Sequence, residues 1–272
     1  MEAFNALLRG ALDLMLGAMA GLPDWVALGV LAFLVTLLIL PIIKWTFKME
    51  VAENFKRKVY AGLFEIRLFN DRLGATFKGL IDVLRFTGAY MGTWLLPLVV
   101  MSVPMLPLFA HLHFHYGYDG LQPGETTLLR AEFSEDRDTG KPDVALTAPE
   151  GVRVATPALW VPAERELIWR LEAEVAGEYE LELSIDGETY TKSLVVSDVP
   201  TRRSPLRPKQ SFLDQLIYPA EPPLPDGSPL EFISLDYTEK SSFFFVPTWC
   251  WIIILLSLPP FLLLKDRFGV EV

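Results

Sequence analysis

Cysteine is nearly absent from this chain. Cys250 is the only one, so no internal disulfide supports the fold. It lies between Trp249 and Trp251 in an apolar run with no base nearby, which suits packing rather than nucleophilic chemistry. Positive charge is short as well: 24 basic residues face 34 acidic ones, a formal net charge of −10. Such a balance makes a poor ligand for phosphates, and no specific nucleic-acid partner is expected. The sequence contains no Gly-rich phosphate loop, zinc motif or Ser/His/Asp set, so it gives no support to an enzyme or to a cofactor. What it has in quantity is apolar residues, 51% of the chain, too many for disorder.

Those residues are concentrated. Trp25 to Ile43 is 19 residues without a charge, Phe86 to Ala110 is 25 and Ser241 to Leu264 is 24. At 1.5 Å per residue even the shortest covers about 28 Å, close to the thickness of the hydrocarbon core. Three membrane spans are expected, at 23–43, 86–110 and 241–264. The first is not read as a cleaved signal peptide, because Glu2, Asp13 and Asp24 outweigh Arg9 ahead of it and no small-residue cleavage site follows.

Charge sets the orientation. Residues 44–85 hold nine Lys/Arg and five acids, while residues 111–240 hold twelve and twenty-four. The positive-inside rule puts 44–85 and the tail 265–272 in the cytoplasm, with the N-terminus and the acidic segment outside. A multi-pass protein of a bacterial inner membrane accommodates this arrangement.

Periodicity divides the remainder. Residues 1–22 carry an amphipathic helix, Asn5, Arg9 and Asp13 on one face and Phe4, Leu7, Leu8, Ala11, Met15 and Met19 on the other, lying flat in the outer interface. Val51, Phe55, Val59, Leu63 and Ile66, then the turn Asn70-Asp71-Arg72-Leu73-Gly74, then Phe77, Leu80, Ile81 and Leu84 predict a cytoplasmic helical hairpin over 44–85. Its bases Lys56, Arg57, Lys58, Arg67 and Arg72 would meet nascent chains, a ribosome or anionic headgroups. Between 124 and 198 the period falls to two. Leu167, Trp169, Leu171 and Ala173 alternate with polar residues, as do Tyr179, Leu181, Leu183 and Ile185, and Asp186-Gly187 supplies a hairpin turn that pairs Leu183 with Tyr190 and Tyr179 with Leu194. This predicts an all-β immunoglobulin-like sandwich at 111–198. Eight prolines between Pro200 and Pro229 predict an extended tether over 199–240, with a last strand near Leu230–Tyr237.

Candidate sites are few. His111, His113 and His115 would share a face on a strand and could hold zinc or copper there; on a helix only His111 and His115 align, and solvated interfacial histidines are the better account. Within the spans, Pro97, Pro104 and Pro107 free the carbonyls of Thr93, Val100 and Val103, and Pro247, Pro259 and Pro260 act likewise in the third span. Thr36, Tyr90, Thr93, Ser102, Thr248 and Ser257 are the polar groups at that depth. Each hydroxyl could bond its own helix, yet together they would suit a shallow hydrophilic groove.

Asp24–Lys44 reads DWVALGVLAFLVTLLILPIIK, a basic hairpin follows, and Trp94–Phe109 reads WLLPLVVMSVPMLPLF. This order resembles the Oxa/YidC/Alb membrane-insertase superfamily, especially its three-span branch, over residues 1–110 and 243–265. The resemblance implies a chaperone that helps nascent or unassembled membrane proteins insert through a polar groove. Where YidC-type members carry a groove arginine five residues before the first-span proline, this chain has Thr36. The β domain after the second span is a further departure. The alternative function is a non-catalytic scaffold subunit of a larger envelope complex, with the β domain binding a partner outside.

Overall fold

Apolar runs of span length and a separate period-two segment dictate a mixed architecture of long helices and β-sheet. The computed structural model describes residues 2–19, 22–69, 71–134 and 140–270; Ala20 of the expected first helix and Asn70 of the expected turn lie outside these. In chain order the elements are α1 (Glu2–Gly17), α2 (Asp24–Thr46), α3 (Met49–Leu68), α4 (Leu73–Thr93), α5 (Leu95–Tyr116), β1 (Thr126–Phe133), β2 (Val144–Thr147), β3 (Val152–Val154), β4 (Leu159–Val161) and β5 (Glu166–Ala173). There follow β6 (Gly177–Ile185), β7 (Glu188–Val196), β8 (Leu206–Pro208), α6 (Phe212–Ile217), β9 (Leu230–Leu235), β10 (Ser242–Phe243), β11 (Val246–Pro247) and α7 (Thr248–Phe268). Three stretches, Asp24–Thr46, Leu73–Tyr116 and Thr248–Phe268, are helical, long and apolar enough to cross a membrane. The chain divides into two compact units, residues 1–28 with 107–252 and residues 29–106 with 253–272.

In the second unit, α3 and α4 pair as a hairpin over 49–93 rather than the expected 44–85, because α2 runs on to Thr46 and α4 to Thr93. Their close approach depends on two glycines. A Cβ on Gly62 would lie 2.8 Å from Val83 Cγ2, and one on Gly79 would lie 2.7 Å from Ile66 Cγ1. Gly62→Leu therefore overpacks the crossing, costing about 1–3 kcal/mol. Amide exchange should quicken in α3 and α4 and stay unchanged in α2. Trp94 breaks the helix for one residue before α5, so Pro97 falls in the first turn of α5, where its missing N–H is not needed. At the end of α2, Leu40 and Ile43 bury themselves with Val270 against Phe47, Phe261, Leu264 and Phe268.

In the first unit two antiparallel sheets share one core. One runs β3-β5-β1-β9-β8, with β4 also on β5; the other runs β2-β6-β7. The inward set Leu167, Trp169, Leu171 and Ala173 meets Leu181, Leu183, Ile185, Tyr190 and Leu194, all buried. The β6–β7 register is the one the turn dictates, Leu183 opposite Tyr190 and Tyr179 opposite Leu194.

Two boundaries need correction. The proline-rich segment is not an extended tether: it supplies β8 to the larger sheet and the helix α6, capped by the Ser211 hydroxyl, and it buries Ala220 and Leu224. Proline fixes φ without demanding a ladder partner, so such a segment can pack through side chains and carbonyls. The third span also starts later than Ser241. Residues 242–247 form the hairpin β10–β11, whose turn residues Phe244 and Phe245 have φ of 50° and 61°. A left-handed conformation costs an L-residue about 1–2 kcal/mol.

Candidate functional site

The polar groups expected at membrane depth divide between the two units, and most follow their local option. In the second unit, Thr93 Oγ1 donates to Tyr90 O at 2.6 Å, Ser102 Oγ to Val99 O at 2.7 Å and Ser257 Oγ to Ile254 O at 2.8 Å. Thr36 is buried on α2; its hydroxyl donates to Ala32 O at 2.8 Å and lies 3.4 Å from Ser257 O on α7. The structure thus brings Thr36 and Ser257 together. Ser102 stays on α5 and Tyr90 and Thr93 on α4; among the described residues none of the three has such a link to Thr36. Thr248 lies in the first unit, where its hydroxyl donates to Ser241 O at 2.7 Å. Back-bonding of this kind is what a short hydroxyl does when hydrocarbon offers nothing else.

On the α3–α4 hairpin, Lys56, Arg57, Lys58, Arg67 and Arg72 are all exposed. Arg57 pairs one turn back with Glu53 at 3.3 Å, and the Lys58 ammonium lies 5.2 Å from the Phe86 ring centre. Between these bases sit exposed apolar side chains. Tyr60, Leu63, Phe64 and Leu68 of α3 and Leu73, Phe77, Leu80 and Ile81 of α4 are each at least 46% exposed. Those of α4 belong to the apolar stretch Leu73–Tyr116, whereas those of α3 lie ahead of it.

The histidines lie at the end of α5, which continues as a helix to Tyr116. His111 and His115 are buried, and His115 Nε2 lies 3.3 Å from Asp13 Oδ1. His113 points elsewhere, its ring 5.1 Å from Tyr118 and 6.4 Å from Trp249. The helical period separates the three, and among the described residues no three His, Cys, Asp or Glu converge as a metal group. Buried packing replaces the expected solvated histidines.

The polar face of α1 is spent on protein. Asn5 Nδ2 donates to Gln215 O at 2.8 Å, Arg9 Nη1 to Pro219 O at 3.0 Å, and Asp13 pairs with Arg202. Burial raises the Asp13 carboxyl, but the His115 hydrogen bond and Arg202 outweigh it and leave the pKa below the ordinary value. Phe4, Leu7 and Leu14 remain exposed. Beside this helix is a cleft of about 760 Å³ lined by Arg9, Asp13, His115, Arg202, Glu178 and Glu180 among others.

One polar cluster escaped the sequence reading. In the β6–β7 register Thr191, Ser193 and Val195 turn their backbone groups to the outer edge of β7, which is bridged at Val196 by Leu121. Three side chains occupy that edge. Arg207 donates to Thr191 O, Glu221 Oε1 accepts from Ser193 N at 2.6 Å, and the Tyr237 hydroxyl accepts from Val195 N at 3.0 Å. Lys192, fully buried, donates to Ser204 O at 2.6 Å and pairs with Glu221. The available signal was Lys192 itself: it shares the inward parity of Tyr190 and Leu194, and a charge in that position requires a partner.

No family model, curated protein or solved structure matches this chain.

Proposed function

We propose that this chain is a multi-pass membrane protein acting as an insertase-like chaperone, with N-terminus outside, C-terminus in the cytoplasm and an immunoglobulin-like β domain outside. The observation that carries this reading is the α3–α4 hairpin, which carries exposed bases and exposed apolar side chains on the same two helices, with α4 leading into the second apolar stretch. A surface of that kind suits a nascent apolar segment on its way past anionic headgroups. Proline supports the second half of the reading. Pro41 in α2 and Pro259 and Pro260 in α7 free the carbonyls of Leu37, Leu255 and Leu256, polar points that lipid cannot satisfy and a passing client segment can. A charge at the bilayer centre costs at least about 2.5–3.5 kcal/mol, so even a shallow polar path matters.

The test is a photocross-linker at Phe64, Phe77 or Ser102 in cells, combined with a short radiolabel pulse. Heterogeneous adducts that rise and vanish with the pulse are expected. Changing Phe64, Leu68, Leu73 and Phe77 together to serine should reduce them about tenfold, the loss of one to two kcal/mol of apolar contact. A single persistent adduct at all three positions overturns the proposal and selects the scaffold-subunit reading. The polar cleft lined by Arg9, Arg202 and Glu178 is the feature that favours that second reading, as a place for an outer partner.

A further inference from the structure

The hairpin β10–β11 is short, strained and almost wholly apolar. Phe243, Phe244 and Phe245 are 62%, 75% and 100% exposed. Phe244 and Phe245 both hold positive φ, as the two central residues of a type I′ turn must, although that turn is ordinarily built from Asn and Gly. Aromatic residues placed there, facing water, carry two penalties together. Removing three phenylalanine side chains from water more than offsets the left-handed strain of two. The arrangement is favourable only if the tip is covered.

The hairpin is also fixed in place. Ser242 pairs with Pro247 and Phe243 with Val246. Trp251 Nε1 donates to Phe243 O at 3.1 Å, Thr248 Oγ1 donates to Ser241 O at 2.7 Å, and the Phe243 ring meets Trp251 edge-on at 6.3 Å. The tip is therefore held against the first turn of α7. That helix has 17 residues ahead of its first charge, Thr248–Leu264, about 26 Å, at the short end of what crosses the hydrocarbon core. The hairpin lies at the N-terminal end of α7 and continues its uncharged run back to Ser241. From Ser241 through the tip into α7 there is no charged residue until Lys265, whereas Glu239 and Lys240 lie just before it.

We infer that Phe243–Phe245 is an interfacial wedge, a rigid aromatic tip seated in the outer leaflet at the level where headgroups meet acyl chains. The depth follows from the backbone. A two-residue turn leaves peptide groups at its apex without ladder partners, and these cannot be desolvated in the hydrocarbon centre. Amphipathic aromatic surroundings such as Trp251 favour the same level. The inference rests on the membrane reading above.

The full chain in phosphatidylcholine–phosphatidylglycerol vesicles tests it. In a Cys250→Ser background, single cysteines at Phe245, at Asp186 in the β6–β7 turn and at Leu255 within α7 carry an environment-sensitive fluorophore. Bromine is placed on the lipid chains either near the headgroup or near the bilayer centre. Shallow bromine should quench the 245 label several-fold more than the 186 label, and more than deep bromine does. A 245 label quenched no more than the 186 label, while deep bromine quenches 255, overturns the wedge and leaves the span intact. Absence of quenching at 255 as well overturns the membrane reading itself. A 245 label quenched best from the bilayer centre overturns the interfacial depth. A second variant guards against misfolding: Phe244→Asn with Phe245→Gly favours the same turn without the aromatic tip. A label at Ser242 should then become several-fold more accessible to aqueous iodide; unchanged access, or cross-linking of the parent tip to one protein, overturns the proposal.

Discussion

Glu221→Ala should destabilise the β-sheet unit by about 3–5 kcal/mol, because it leaves the Lys192 ammonium buried without its counter-charge. For a unit of this size that is a fall of about 10 °C in the unfolding midpoint followed by sheet circular dichroism. The variant also strips the Ser193 N–H of its acceptor and opens the β7 edge to pairing with another chain. Lys192→Met with Glu221→Leu should recover most of the loss, since an apolar pair of similar volume avoids both desolvation penalties. Acid acts on the same contact. Burial raises the Glu221 carboxyl, but Lys192, with hydrogen bonds from Lys192, Ser193 and Ser204, holds it below its usual 4.5. A carboxyl depressed in the folded state contributes stability that is complete above the ordinary value and is lost as pH falls through the lower, folded one. Unfolding midpoints below pH 4.5 should therefore fall more steeply in the parent than in Glu221→Gln. Equal slopes would remove Glu221 as the acid-sensitive group.

Arg203→Met is the second large effect. The guanidinium is buried and donates to Ser197 O at 2.8 Å, Val199 O at 2.9 Å, Tyr118 O at 3.3 Å and Thr201 O at 3.5 Å. Its own backbone N–H donates to Phe114 O at 2.8 Å. One side chain thus fastens the end of α5 to the segment leaving β7. Gly120 is part of the same contact, because a Cβ there would fall 1.8 Å from Ser197 O. Each charged hydrogen bond lost to a buried carbonyl costs about 1.5–3 kcal/mol, and two of the four are short, so a loss of about 3–5 kcal/mol is expected. Amide exchange around 114–121 and 197–203 should rise before the rest of the sheet loosens. Arg203→Lys should restore less than half, since a compact ammonium lacks the planar fork that reaches four acceptors. Uniform exchange across the unit would show that Arg203 is ordinary packing rather than a fastening.

The extent to which these features could be read in advance varies with their range. Strand β6, its turn and its partner β7 were legible because alternation and a two-residue loop fix register locally. The α3–α4 hairpin was legible for the same reason, through spacings of three and four. The histidines were legible only as alternatives, since the geometry depends on whether α5 continues past the span. Ser257's proximity to Thr36 was not legible at all, because more than two hundred residues separate them. Nor was the hairpin at 242–247, hidden inside an uninterrupted apolar run in which Phe244 and Phe245 carry no turn signal.

By itself the sequence determined three helices of membrane length, the charge asymmetry between residues 44–85 and 111–240, the basic hairpin and the alternating strands. All of these depend on composition and short periods, which act over a turn of helix or a pair of strands. Tertiary structure alone decided that the proline-rich segment folds onto the sheets, that the polar face of α1 meets Gln215, Pro219 and Arg202, and that Glu221 closes the β7 edge over Lys192. Those contacts join residues far apart in the chain. They form because a buried charge or an unpaired edge must find a partner, and which partner it finds depends on where the whole fold brings the chain back.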